Sequence, residues 1–110
     1  MIEWNRLAEL RAEIGAEALA DVAALFLEEA DEVVARIAAG PPDSRLEAEL
    51  HFLKGSALNL GLKDLSALCQ EGERRAGQGD GAGVDLGRIV AVYRASKAAF
   101  LGALAKGDAA

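Results

Sequence analysis

The chain has 110 residues, a length typical of one domain with one hydrophobic core. Hydrophobic residues make up 52% of it and aromatic residues 5%, so we expect a core of leucine, valine, isoleucine and alanine in one all-helical domain over residues 1–110. The formal net charge of −6 argues against nucleic acid as a partner, because binding a phosphate backbone needs clustered lysine and arginine.

Apolar spacing predicts two helices in the N-terminal part of the chain. Residues 4–14 carry apolar residues at helical intervals, and Gly15 is a suitable break after them. Residues 16–39 form a longer amphipathic pattern, which the sequence GPPDS ends because proline lacks an amide donor. The predicted core positions of this second helix lie on one face: Leu19, Val22, Phe26, Ala30, Val33 and Ile37.

The third predicted helix covers residues 44–60. It begins with SRLE, a predicted capping box in which the Ser44 hydroxyl accepts the Glu47 amide and the Glu47 carboxylate accepts the Ser44 amide. Gly61 suits the left-handed residue that ends the helix. The next helix carries its apolar residues at Leu65, Leu68, Cys69, Gly72 and Ala76.

A glycine-rich loop over residues 77–83 leads to the last predicted helix, over residues 84–106. Its predicted core positions are Ile89, Val92, Tyr93, Phe100, Leu101 and Leu104. Four long helices with short connections predict an antiparallel up-and-down four-helix bundle, and the short N-terminal helix would cover one end of it.

Two further expectations concern location and cross-links. No apolar run reaches the roughly 20 residues that span a bilayer, and no signal pattern opens the chain. We therefore expect a cytoplasmic protein without membrane contact. Cys69 is the single cysteine, so the chain forms no internal disulfide.

His51, the one histidine, is predicted to point away from the core of the third helix. Helical geometry turns by about 100° per residue, which places an apolar stripe about 180° to 260° from the ring. That stripe consists of Leu46, Leu50, Leu53, Ala57 and Leu60. Glu47, Lys54, Gly55 and Leu58 lie within about 60° of His51 on the opposite face.

Spacing alone leaves the purpose of this histidine open. A position of His51 in the core would conflict with the outward direction predicted for its ring. A zinc site needs three or four ligands, whereas the chain has one histidine and one cysteine, so we expect no metal site. Ser56 lies about 140° around the helix from His51, too far to be its nucleophile partner. An incidental surface histidine remains an alternative.

The stretch HFLKGSALNLG, residues 51–61, resembles the signature of histidine-containing phosphotransfer (HPt) domains. In that signature H-x-L-K-G-[S/A]-[S/A] is followed by an apolar residue and glycine. The matching residues are His51, Leu53, Lys54, Gly55, Ser56, Ala57, Leu60 and Gly61. The flanking helices are similar over nearly the whole chain. The resemblance implies a four-helix bundle whose exposed histidine exchanges a phosphoryl group with receiver-domain aspartates.

The resemblance also implies roles for the residues around the ring. His51 would be the phosphoacceptor, attacking through Nε2, and Lys54 would offset the charge of the phosphoryl group. The sequence does not decide what holds Nδ1; Glu47, Glu73 and water are candidates. Gly55 would leave bare backbone beside the ring, so that a partner can approach closely.

Other residues are predicted to bind the partner or to support the helix. The partner-binding face comprises Glu47, Ala48, Gly55 and Leu58. Ser56 and Gly61 are expected to have structural roles.

The resemblance implies that the protein is a cytoplasmic, monomeric phosphocarrier in a two-component phosphorelay. Its partners would be receiver domains of response regulators and a histidine kinase, and it would have no cofactor of its own, since the receiver would supply Mg²⁺. No Walker or kinase glycine motif is present, so we expect no ATP-dependent kinase activity. The alternative is a non-transferring helical-bundle binding module or an inhibitor of a signalling partner. The sequence does not identify the cognate kinase and response regulators or the direction of phosphate flow. It also does not decide whether the chain is a free protein or part of a larger kinase.

Overall fold

The computed structural model describes residues 2–105. These residues contain five α-helices and one 3-10 turn. In chain order they are α1 (Trp4–Ile14), α2 (Ala16–Ala38), α3 (Asp43–Leu60), α4 (Lys63–Gly77), the 3-10 turn (Gly81–Gly83) and α5 (Leu86–Ala105). No β-strand occurs among these residues. The predicted all-helical class is confirmed.

Helices α2 to α5 form the expected bundle. α3 packs most extensively on α4, α2 lies against both α3 and α5, and α4 also contacts α5, which closes the ring of four. α1 packs on α2. Only Gly61 and Leu62 separate α3 from α4, and Gly61 has a φ of 76°, a left-handed conformation that glycine adopts without steric penalty. The predicted end of α3 is therefore confirmed.

The apolar stripe of α3 faces the core as predicted. Each of its five residues is at most 2% exposed. They are Leu46, Leu50, Leu53, Ala57 and Leu60. Burying a leucine side chain stabilises the fold by about 1.5 to 3 kcal/mol. This burial fixes the rotation of α3 about its axis and turns its other face to solvent.

The capping box predicted at Ser44 is wrong. α3 begins at Asp43 with Pro42 as its extended N-cap residue (φ −62°, ψ 157°), and no side chain caps the helix. Proline suits the start of a helix because its fixed φ fits there. No helical hydrogen bond is lost, since an amide proton at this position would have no acceptor within the helix. Ser44 therefore lies within the first turn, and the carboxylate of Glu47 lies against Gly77 of α4.

The core faces of α2 and α5 differ in part from the predicted ones. Val22 is 37% exposed, whereas the neighbouring Ala23 and Leu27 are buried. Leu101 is 43% exposed, whereas Ala103 is buried. Further apolar residues lie beside the predicted stripe on both helices, so the helical periodicity fits more than one core face. Packing against the neighbouring helices decides which of these faces is buried. The other predicted core positions of both helices are buried or partly buried.

The last predicted helix, α5, begins two residues later than predicted, at Leu86 instead of residue 84. The Asp85 carboxylate accepts a hydrogen bond from the amide of Arg88 at 3.0 Å, which caps α5 and places its first residue at Leu86. The predicted last residue, Lys106, lies outside the described residues.

Within residues 2–105 no helix is both long enough and apolar enough to cross a membrane.

Candidate functional site

His51 lies in the middle of α3 with 69% of its side chain exposed to solvent. The orientation follows from the buried stripe on the other face of the helix. The predicted outward direction is confirmed, and the imidazole is accessible to a second protein.

A carboxylate from α4 holds the ring. Oε1 of Glu73 lies 2.7 Å from Nδ1 of His51. An ionised carboxylate only accepts hydrogen bonds, so Nδ1 carries the proton of the neutral ring and the free lone pair is on Nε2. Of the three candidates for the Nδ1 partner, the structure selects Glu73. Glu47 is not the partner, because its carboxylate lies against Gly77.

Lys54 contacts the other oxygen of the same carboxylate. Its Nζ lies 2.7 Å from Oε2 of Glu73, and the two side chains are 22% and 20% exposed. The pKa of the Glu73 carboxyl lies below its ordinary value, chiefly because of the contact from Lys54 and further because of the bond to His51, while desolvation opposes both. Glu73 is therefore ionised at neutral pH, with one oxygen on the ring and the other on the ammonium.

The surface around the ring is open. A Cβ atom added at Gly55 would have no heavy atom within 4 Å, so no contact within the bundle requires glycine there. Leu58, two turns from His51, is 58% exposed. Glu47 and Ala48 are also exposed. The structure thus places all four predicted partner-binding residues on the outer side of α3, and their part in binding stays a prediction.

The two residues with predicted structural roles are buried. Ser56 is 6% exposed, on the inner side of α3. Gly61 lies under the start of α1: its carbonyl accepts a hydrogen bond from the amide of Glu3 at 2.6 Å, and a Cβ atom there would lie 3.1 Å from the carbonyl oxygen of Glu3. Gly61 therefore both ends α3 and leaves room for α1.

Cys69 lies one turn before Glu73 but adds no reactive group. The side chain is fully buried, and desolvation, followed by the charge of Glu73, raises the pKa of its thiol to about 12. It is a neutral thiol at physiological pH and fills core space. Across residues 2–105, no group of three histidine, cysteine, aspartate or glutamate side chains could hold a metal ion.

The ion pair between Glu73 and Lys54 was not predicted from the sequence. A signal was present, because Glu73 directly follows Gly72 and lies four residues after Cys69, both on the apolar face of α4. Such a residue must lie at the edge of the helix interface, where it can reach a neighbouring helix.

The comparison with protein families agrees with this geometry. The model of the Hpt domain family matches residues 21–99. The chain belongs to the Hpt domain family. Hpt domains act in phosphotransfer of two-component signalling, as phosphocarriers rather than kinases. The match includes His51, Lys54 and Glu73 of this Hpt domain and leaves α1 outside it. Comparisons with curated proteins and with solved structures gave no match.

Proposed function

We propose that this Hpt domain carries a phosphoryl group on Nε2 of His51, taking it from one receiver-domain aspartate and giving it to another. The hydrogen bond of 2.7 Å between Nδ1 and Glu73 is the observation that carries the proposal. It leaves the lone pair on the exposed nitrogen and fixes the plane of the ring. A surface histidine without a role would need no such partner.

The transfer step follows from this arrangement. The Nε2 lone pair attacks the phosphorus of an aspartyl phosphate, the bond from phosphorus to the carboxyl oxygen breaks, and its electron pair returns to the aspartate as a carboxylate. Nδ1 keeps its proton, so the ring gains a positive charge that ionised Glu73 stabilises. The reverse step delivers the phosphoryl group to a second aspartate. No proton has to leave the site in either direction.

Lys54 is the proposed electrostatic partner of the phosphoryl group. In the unphosphorylated protein its ammonium is bound to Oε2 of Glu73, on the carboxylate that also holds the ring. Turning toward phosphoryl oxygens requires only rotation of the flexible lysine side chain. Glu73 would thus keep the ammonium beside the ring until the phosphoryl group arrives.

Docking of the partner is proposed to use the outer side of α3. The open space at Gly55 lets the receiver active site approach the ring without meeting a side chain. The receiver would bring the Mg²⁺, and this chain would act in the cytoplasm as a monomer without a cofactor of its own. A histidine kinase is the proposed original source of the phosphate.

The test compares the wild-type protein with His51→Gln. Both are incubated with several ³²P-phosphorylated receiver domains and, separately, with labelled ATP alone. We expect acid-labile label on the wild type from at least one receiver, none on His51→Gln, and none from ATP. Equal labelling of His51→Gln would refute a phosphohistidine. A wild type that binds receivers yet takes label from none would favour the non-transferring binding module.

A further inference from the structure

We infer that Gly72 is a positioning residue for the phosphotransfer: because it lacks a side chain, α3 and α4 approach closely enough for Glu73 to hold the ring of His51. This inference rests on the proposed function and adds to it a residue that has no functional group of its own.

Gly72 occupies a place where glycine is unfavourable for the helix itself. It is a buried residue inside α4, where glycine loses more backbone entropy on folding than alanine does. Its φ is not positive, so the backbone conformation does not require glycine either. The reason for glycine at this position must therefore be the space that a side chain would need.

That space is already filled by neighbouring side chains. A Cβ atom added at Gly72 would lie 2.9 Å from Cδ1 of Leu50 on α3 and 3.2 Å from Cγ1 of Val84, which precedes α5. Carbon atoms in contact are about 3.5 to 4.0 Å apart, so the closer approach is short by about 0.6 to 1.1 Å. Leu50 is fully buried, and a close-packed core leaves it little room to yield. Relief of the overlap therefore moves α4 away from α3.

The overlap would arise next to the contact that holds the ring. Leu50 directly precedes His51, and Gly72 directly precedes Glu73. Movement of α4 at this point would lengthen the hydrogen bond between Nδ1 and Oε1, which is 2.7 Å long. A hydrogen bond is lost beyond about 3.5 Å, so this one tolerates about 0.8 Å of added separation, which is the size of the overlap. The contact of Glu73 with Lys54 would lengthen in the same way, since Lys54 is also on α3.

NMR of the imidazole nitrogens tests the inference on the ¹⁵N-labelled, unphosphorylated protein at a pH where the ring is neutral. The wild type should have the proton on Nδ1, because Glu73 accepts it there. Gly102→Ala is the matched control and should show the same tautomer, since a Cβ atom at Gly102 would have no heavy atom within 4 Å. Gly72→Ala should keep its circular dichroism spectrum, because alanine favours the helix, and show a mixture of both tautomers.

Single-turnover transfer from a ³²P-labelled receiver gives the second readout. We expect Gly72→Ala to transfer about fivefold more slowly, because the hydrogen bond weakens while the carboxylate charge stays near the ring. The control should transfer at the wild-type rate.

A double variant separates positioning from stability. Leu50→Val removes the Cδ1 atom that the new side chain would meet. Gly72→Ala/Leu50→Val should therefore regain the wild-type tautomer and most of the transfer rate, although the loss of buried carbon makes it less stable than Gly72→Ala. A role of Gly72 in stability alone predicts the opposite, because the less stable double variant would then be the slower of the two.

Two results would overturn the inference and leave the proposed function intact. One is a tautomer and a transfer rate of Gly72→Ala that equal those of the control, and the other is a double variant no faster than Gly72→Ala. Failure of the wild type to take label from any receiver would instead count against the proposed function. The tautomer measurement needs no receiver, so it would still report whether Gly72 positions Glu73 against the ring.

Discussion

Replacing Glu73 with glutamine should slow phosphotransfer about tenfold and leave the fold intact. Glutamine keeps the size of the side chain and an oxygen that accepts from Nδ1, but it removes the negative charge that faces the ring during attack. With Nδ1 and Oε1 2.7 Å apart, the two charge centres lie about 4 Å apart. Such a pair is worth about 1 kcal/mol in water and about 4 kcal/mol near a protein surface with partial desolvation.

Solvent exposure decides where in that range the effect falls. The His51 side chain is 69% exposed, which favours the lower end, although Glu73 itself is only 20% exposed. The neutral hydrogen bond retained by glutamine reduces the loss further. We therefore expect about 1.4 kcal/mol less stabilisation of the transition state, which is a tenfold lower rate.

Single-turnover transfer from a ³²P-labelled receiver, with the Hpt protein in saturating excess, measures this rate. Glu71→Gln is the matched control, because Glu71 lies on the same helix and its carboxylate binds Arg74 instead of the ring. We expect the control to transfer at the wild-type rate. A Glu73→Gln rate equal to or above that of the control would refute the reasoning, since the carboxylate would then not stabilise the ring cation.

The remaining predictions concern the mechanism and the fold. Lys54→Ala should transfer phosphate more slowly with an unchanged circular dichroism spectrum, and equal rates would remove Lys54 from the mechanism. Gly55→Leu should weaken receiver binding in calorimetry while raising the free energy of unfolding by about 0.5 to 1 kcal/mol, because the new side chain projects into open space. Gly61→Ala should lower the free energy of unfolding by about 1 to 2 kcal/mol in urea titrations, because its φ is 76°. The contacts of Glu73 lower its pKa in the folded state, so their contribution is complete above about pH 4.5 and is lost as the pH falls through the folded pKa. Between about pH 5 and pH 3, the wild type should therefore lose more free energy of unfolding than Glu73→Gln, and parallel curves would contradict this.

The family match and the contact that holds the His51 ring both support the proposed phosphotransfer. The family model covers residues 21–99 and so includes the whole of α3 and α4. The contact between His51 and Glu73 depends on how those two helices pack. A chain with the motif but with α4 rotated would lack the contact, so the geometry adds to what the motif shows.

Local physical chemistry in the sequence determined the helices and the direction of His51. The stripe from Leu46 to Leu60 repeats at the helical period, and burying it forces the opposite face outward whatever the neighbouring helix is. Gly61 was predicted to end α3 because a left-handed residue there favours glycine. These features depend on residues within a few turns of one another, which is why one sequence was enough to predict them.

Tertiary packing alone decided what surrounds the ring. Glu47 and Glu73 were both chemically able to hold Nδ1, and the register of α4 against α3 placed Glu73 there and Glu47 against Gly77. The same register brought Lys54 to the carboxylate that holds His51. Contacts between residues about 20 positions apart depend on how two helices rotate and slide against each other, and the periodicity of either helix does not specify that.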